Sequence, residues 1–499
     1  MPSRPTSVSL KLILAGSAGL CAWLAWRSLG WPLIHDAPIM HYVAWLIAQG
    51  AVPYRDAFDM NLPGVYLIHW AVLSLAGPGD LAWRLFDLAW LAATCGLLFV
   101  YGRRLGDRGA AAAGALLFTL YHLSGGAWRV GQRDFLLCLF LLAGAWGVAR
   151  SREDGGTLRP LVWAGLALGA GMTVKPQAGL YWLACGASAA WGAWREKRSV
   201  LASAGVVVGA GLLVPAVVFG WLEWRGGLGA FVAVMTGYVL PLYAHVGRVP
   251  VWHGFSWYRH GHLLWSMLAA VGLLAMLAPA PQGSGARKAL ALLGVGYGWL
   301  HFSLQGKGWE YHLYPLALFL CALAPFALAR STSRPGPFAA LRHGAALVVL
   351  VAAVVTLGAK GVDALDAGWI AEKSRRVTAL SSDLAPLVRA GDTVQVMDVT
   401  EGGLHALLRL GVRQPTRFLY DFHFFHDQAD PRIKALQNEF VTGLEARQPA
   451  AIVVMRDTWN RPGFDRLDEI PGLRPLLDGA YTLAAEGDGY RIYAKRTRP

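Results

Sequence analysis

The chain has 499 residues, 55% of them hydrophobic and only 15% charged, with 22 tryptophans. Soluble domains carry nearer about a quarter charged residues, so this composition excludes a wholly soluble chain and predicts a polytopic membrane protein. The net charge of +14 does not imply nucleic acid: from Lys360 onward 19 basic and 19 acidic groups balance, so the whole excess flanks apolar segments, where it reports topology.

In chain order, hydropathy predicts about eleven spans, centred on Ala18, Ala92, Leu117, Leu142, Ala167, Ala184, Gly209, Val271, Gly296, Phe319 and Val351. The first follows Arg4 and Lys11 and is read as an anchor, since cleavage of a signal peptide there would strip Asp36 of its supporting helix. Alternate loops ("YGRRLGDR", "RSREDGGTLR", "WREKRS", "ARK", "RSTSRPGPFAALR") and the N-terminus hold 16 of the Lys and Arg residues; the opposite loops hold ten over about twice the length. That asymmetry places the N-terminus in the cytoplasm and the C-terminus outside. All five cysteines fall in apolar segments, so no disulfide framework is implied.

Two long loops then face outward, residues 28–80 and 223–260. In "HDAPIMHYVAWLIAQG", Ile39, Val43, Leu46 and Ile47 share one helical face, with Pro38 suited to a first turn and Gly50 to a stop. This segment and "LPGVYLIHWAVLSLAGPG" are expected to lie in the membrane interface. "GLGAFVAVMTGYVLPLYAHV" is read the same way, or as a re-entrant segment. The tail alternates helices with apolar strands ("TVQVMDV", "PAAIVVMRD", "GYRIYAKR") and predicts a separate α/β domain. The expected organisation is a transmembrane domain over residues 1–360 and an extracytoplasmic α/β domain over 361–499.

Twelve acidic residues precede the tail. Asp107, Glu153, Asp154 and Glu196 fall on the cytoplasmic side among basic residues, and Asp87 follows Arg84 by one helical turn, which a local ion pair explains. Asp36 sits between the end of the first span and the start of a helix, where it serves either chemistry or capping. Asp134, beside Arg133 and just before a span, carries the same two readings. Lys175 in "TVKPQAG" lies near membrane depth, and Lys307 and His312 share the outer turn "QGKGWEYHLYP". A lysine near membrane depth is costly unless it meets an anion, although each cation alone also suits snorkelling or capping. One carboxylate with several cations at the outer leaflet suits transfer of a group from a lipid phosphate.

These features, in order, resemble a known family. An aspartate after a short span, then "GAVPYRDAFDMNLPGVYL", then "AWRLFD", then "GLALGAGMTVKPQAGL" and "YHLYPL", are similar to the integral-membrane GT-C glycosyltransferases. Within that superfamily the resemblance is to the family-39-like enzymes, which include protein O-mannosyltransferases and lipid A aminoarabinose transferases. It implies about eleven transmembrane helices with a C-terminal outer-face α/β domain, in the cytoplasmic (inner) membrane. It implies a polyprenyl-phosphate-linked sugar donor and a lipid, glycan or protein acceptor. Asp36 would be the general base, and Asp134 the second acidic catalytic residue. Arg133, Lys175, Lys307, His312, Tyr54 and Asp59 would bind substrate or the lipid phosphate. The chain departs from relatives in having His35-Asp36 for an acidic pair and Asn61 where aminoarabinose-type relatives carry a lysine.

A sugar phosphodiester has a good leaving group, so one base near the acceptor hydroxyl suffices, and cations stabilise the departing phosphate. A glycosidase would need two carboxylates flanking the bond, and none are evident as a pair. The alternative function is a transporter or flippase of a lipid-linked sugar; the ionisable groups, however, cluster at outer ends rather than at mid-membrane. No cofactor is expected. His253, His260 and His262, and Asp421, His423, His426 and Asp427, are weighed as ligands of a divalent ion, but neither set has standard zinc spacing.

Overall fold

The computed structural model describes residues 8–104, 107–256, 261–329, 337–365, 367–459 and 461–496. The apolar first segment forms α1 (Val8–Arg27). The first long loop folds into α2 (Asp36–Ala48) and α3 (Pro63–Ala76), the latter opened by a proline whose missing N–H costs nothing in a first turn. Then come α4 (Asp80–Arg103), α5 (Arg108–Leu123), α6 (Arg133–Glu153), α7 (Arg159–Val174), α8 (Ala178–Arg195) and α9 (Val200–Trp224). Asp107 caps α5, accepting from the backbone of Gly109 at 2.8 Å and Ala110 at 3.0 Å.

After α10 (Leu228–Val234) the helix widens into π-helical turns as far as Tyr243, around Pro241. Four further helices follow: α11 (Gly261–Leu277), α12 (Gly285–Gln305), α13 (Tyr314–Leu328) and α14 (Pro337–Leu365). The tail contains α15 (Gly368–Leu384), β1 (Val394–Met397), α16 (Gly403–Leu410), α17 (Pro431–Arg447), β2 (Ala451–Met455), α18 (Leu473–Ala480), β3 (Tyr481–Gly487) and β4 (Tyr490–Lys495).

All eleven expected span centres fall in separate helices. Among the described residues, six helical stretches are long and apolar enough to cross a membrane: Val8–Gly30, Asp80–Arg103, Arg133–Glu153, Val200–Trp224, Glu310–Leu328 and the one starting at Pro337.

The chain divides into two compact units. The first comprises Met1–Gly30, Arg84–Val218 and Gly247–Asp366. Its hub is α13, every residue of which is buried, as a helix apolar all round should be. Small residues let neighbours close on it. A Cβ on Gly114 of α5 would stand 2.5 Å from the Cys321 carbonyl oxygen, and one on Gly298 of α12 would stand 2.5 Å from the Leu316 backbone. At its C-terminal end, Arg342 donates to the carbonyls of Ala327 at 2.7 Å and Ala329 at 2.9 Å, as suits the negative pole of a helix.

The second unit comprises Trp31–Trp83, Phe219–Val246 and Ala367–Pro499. Its sheet has the order β1-β2-β4-β3, with β1 and β2 parallel and the remaining pairs antiparallel. The two parallel strands are buried throughout: β2 is an unbroken apolar run, and Gln395, the polar residue of β1, is satisfied by Gln414 at 2.8 Å and Thr416 at 2.7 Å. β3 was not expected from the sequence, because "YTLAAEG" has little β-branched character. It forms because Asp488 and Gly489 (φ 86°) make the tight turn that returns the chain into β4.

The interfacial reading of α2 needs correction. Ten of its thirteen residues are buried, His41 included, and six of them (Ile39, Met40, Tyr42, Val43, Leu46 and Ile47) join the core that also contains residues of β1, β2 and α16. The Tyr42 hydroxyl donates to the Val412 carbonyl at 3.1 Å and accepts from Gln414 N–H at 2.9 Å, fixing α2 to tail residues. By contrast α3 keeps Trp70 and Leu75 exposed, as an interfacial helix would.

Candidate active site

One end of the first unit gathers the starts of α4, α6 and α13 with the ends of α5, α7, α12 and α14. Three carboxylates are buried there, and each is held by cations. Asp134, in the first turn of α6, is fully buried. Its carboxylate meets the Lys175 ammonium at 3.1 Å, His301 Nε2 at 2.6 Å and Gln305 Nε2 at 3.2 Å. Lys175, where α7 ends, also donates to Gln305 Oε1 at 2.7 Å. Tyr297 lies 3.2 Å from His301 Nδ1, which leaves the Nε2 side of the imidazole for Asp134. His312 is buried beside this group, within electrostatic range of Asp134, Lys175, His301 and Arg133.

The second cluster centres on Glu310, which pairs with Arg129 at 2.5 Å and with Lys360. Arg129 also donates to the Tyr121 carbonyl at 2.7 Å and lies 4.3 Å from the Tyr121 ring centre. Burial opposes the charge on this guanidinium, but Glu310 together with Tyr121 and Tyr314 more than offsets it and raises its affinity for the proton. In the third cluster Asp87 pairs with Arg84, as expected from their spacing, and also accepts from His122 Nε2 and the Gly131 N–H, both at 2.9 Å. His122 Nδ1 meets the Tyr314 hydroxyl at 2.8 Å.

Thus four of the sequence-selected residues, Arg133, Asp134, Lys175 and His312, come together in the first unit. Lys307 follows Gly306 (φ 65°), which ends α12 in a left-handed turn. Burial and the neighbouring Arg248 push Lys307 down to about 8. His301 and Gln305 were not selected from the sequence. Their spacing of four residues near the end of an apolar helix, on one face, was the available signal.

The other selected residues belong to the second unit. Asp36 opens α2 and is half-buried, after His35 in a left-handed backbone conformation (φ 54°). The His35 ring is 5.2 Å from Trp369, and burial, with Lys373 nearby, pushes it well below the ordinary imidazole value. A crevice of about 20 Å³ is lined by Leu33, Ile34, His35 and Pro38, with Lys373 and Glu401 opposite. It has room for about one water.

Tyr54 and Asp59 lie in a loop that is itself tightly bonded. Asp59 accepts from the Tyr66 hydroxyl at 2.7 Å, Asn61 Nδ2 at 2.9 Å and Met60 N–H at 2.6 Å, while Tyr54 donates to the Asn61 carbonyl at 2.6 Å. Phosphate binding by either would require these bonds to be exchanged. Among the described residues no three metal-type side chains converge. Asp421 is bound by Arg466 at 2.7 Å, and His423 and His426 both meet the Tyr238 hydroxyl at 2.6 Å. His260 lies outside the described residues.

Comparison with known proteins agrees with this architecture. Residues 61–224 match the family model for dolichyl-phosphate-mannose-protein mannosyltransferase. ArnT from Cupriavidus metallidurans bound to undecaprenyl phosphate is 14% identical, with a TM-score of 0.62 over 97% of each chain. The fold is that of the GT-C membrane glycosyltransferases. Apo ArnT from the same organism gives a TM-score of 0.65 at 13% identity, over 96% of this chain and 97% of that one. The Archaeoglobus fulgidus oligosaccharyltransferase tethered with an acceptor peptide gives 0.53 at 12% identity, over 98% of this chain and 74% of that one. A search of curated protein sequences found no match. The GT-C resemblance read from the sequence is therefore borne out, and the chain is a multi-pass membrane protein.

Proposed function

We propose that this GT-C protein transfers a sugar from a polyprenyl-phosphate donor to an acceptor hydroxyl at the outer face of the cytoplasmic membrane. The observation that carries the reading is the full-length fold match to a protein bound to undecaprenyl phosphate, joined to the mannosyltransferase family match over residues 61–224. In this reading residues 1–360 form the transmembrane domain, with the N-terminus inside, and residues 361–499 form an extracytoplasmic α/β domain.

Asp36 is the general base. It takes the acceptor hydroxyl proton as the acceptor oxygen bonds to the anomeric carbon, while the bond from that carbon to the phosphate oxygen breaks. The polyprenyl phosphate leaves with its electron pair, and Arg133, Lys175, Lys307 and His312 stabilise the charge that grows on it. Asp134 holds Lys175 and His301 in place, so those groups are oriented before the donor arrives. Tyr54 and Asp59 shape the loop that follows the base. One displacement inverts the anomeric centre. No metal step is required.

Glycan and lipid profiling of a deletion strain tests this function. The expected result is one missing envelope sugar together with accumulated polyprenyl-phosphate-linked donor. An unchanged glycan profile with no accumulated donor would contradict it.

A further inference from the structure

The opposite end of the first unit holds a cavity that the transfer reaction does not use. It opens between α6, α8 and the start of α12, and its volume is about 970 Å³. Its wall is apolar, with Ala184, Ala187 and Leu293, and Trp191 stands at its edge with more than half its surface exposed. Its polar side carries Arg104, Arg152 and Arg195.

Two carboxylates also line the cavity, but each is committed elsewhere. Glu153 is gripped on both oxygens by Arg287, at 2.5 and 2.8 Å. Glu196 is gripped by Arg198, at 2.6 and 2.9 Å. The lining arginines reach these acids only loosely: Arg104 to Glu153 at 3.8 Å, and Arg152 to Glu196 at 4.0 Å. The cavity therefore keeps the charge of three guanidiniums. Ser284, Gly285 and Ala286 border it where α12 begins, so the positive pole of that helix adds to the same field.

A space of this size, apolar on one side and cationic on the other, is complementary to an amphiphile with an anionic head. We propose that it is a binding site for an anionic phospholipid of the surrounding membrane, its phosphate on the arginines and its glycerol and upper acyl carbons along Ala184, Ala187, Leu293 and Trp191. Guanidiniums suit phosphate because their fork matches two oxygens at once. The site lies at the end of the bundle opposite Asp134, so it anchors the bundle without taking part in transfer.

The test uses the full-length protein in detergent, titrated with short-chain phosphatidylglycerol, short-chain phosphatidylcholine or glycerol phosphate, with the melting temperature as readout. Phosphatidylglycerol should raise it, and the other two should not. In the triple variant Arg104→Gln/Arg152→Gln/Arg195→Gln the apparent affinity should fall by about a hundredfold, since each basic residue near an anionic headgroup contributes severalfold. The single variant Arg195→Glu, at an exposed position, should weaken binding in the same direction and guards against misfolding of the triple. Arg150→Gln should bind normally, because Arg150 pairs with Asp154 at 2.6 Å and does not line the cavity. Equal shifts with phosphatidylcholine, an equal shift with glycerol phosphate alone, or undiminished binding by both cavity variants would each overturn the proposal.

Discussion

Asp36 and Asp134 look alike in the sequence: each precedes or opens a helix near the expected outer surface. They differ sharply in their surroundings. Asp134 is fully buried and meets Lys175, His301 and Gln305 within 3.2 Å. Asp36 is half-buried at the start of α2, in the other compact unit. A carboxylate whose oxygens already meet a lysine, an imidazole and an amide is committed to holding those groups. A part-buried one keeps some surface that a substrate can reach. In the proposed reaction Asp36 is therefore taken as the base and Asp134 as a positioning group.

That contrast makes separable predictions. Asp36→Asn should lower turnover by at least about a thousandfold, within the range for a lost general base, while thermal unfolding stays at the wild-type temperature; transfer assays and melting curves on one preparation check this. Asp134→Ala should do the reverse in emphasis. Leaving Lys175 buried without its carboxylate costs about 3–5 kcal/mol of stability, read as a lower melting temperature that Asp134→Asn restores only in part. If the two variants showed the same profile, the division of roles would fail.

A smaller effect concerns Lys307. With its value lowered to about 8, this lysine is cationic below that pH and neutral above it. Its hold on a phosphate therefore weakens as pH rises, so kcat/KM for the donor should fall through about pH 8. Lys307→Arg should shift that fall upward, because a guanidinium stays charged. A profile that is flat across this range in the wild type would remove Lys307 from the phosphate site.

Much of the helical architecture was legible because apolar runs of helical length between charged flanks are a strong signal. Each of the eleven expected centres, from Ala18 to Val351, lies in its own helix. The burial of α2 was not legible. Its apolar face at Ile39, Val43, Leu46 and Ile47 suggested a surface, but His41 also lies inside, 2.6 Å from His69. A buried histidine paired with another from 28 residues away leaves no local trace. The hairpin of β3 and β4 rests on one Asp-Gly turn rather than on strand-forming residues.

The site was half legible for a related reason. Lys175 and Asp134 stood out singly as charges near apolar segments. Their pairing across 41 positions of sequence, and the partnership of Glu310 with Lys360 across 50, needed the fold. Lys360 lies within a 29-residue helix and reads by itself as a boundary charge; in the folded chain it is the buried counter-ion of Glu310.

The proposed reaction is a single displacement at the donor sugar, assisted by one carboxylate. The measurement that reaches it most directly is the anomeric configuration of the transferred sugar, determined by NMR on product formed from a donor of known configuration. Inversion is the expected result. Retention would mean two displacements and a nucleophile on the protein, and would contradict it.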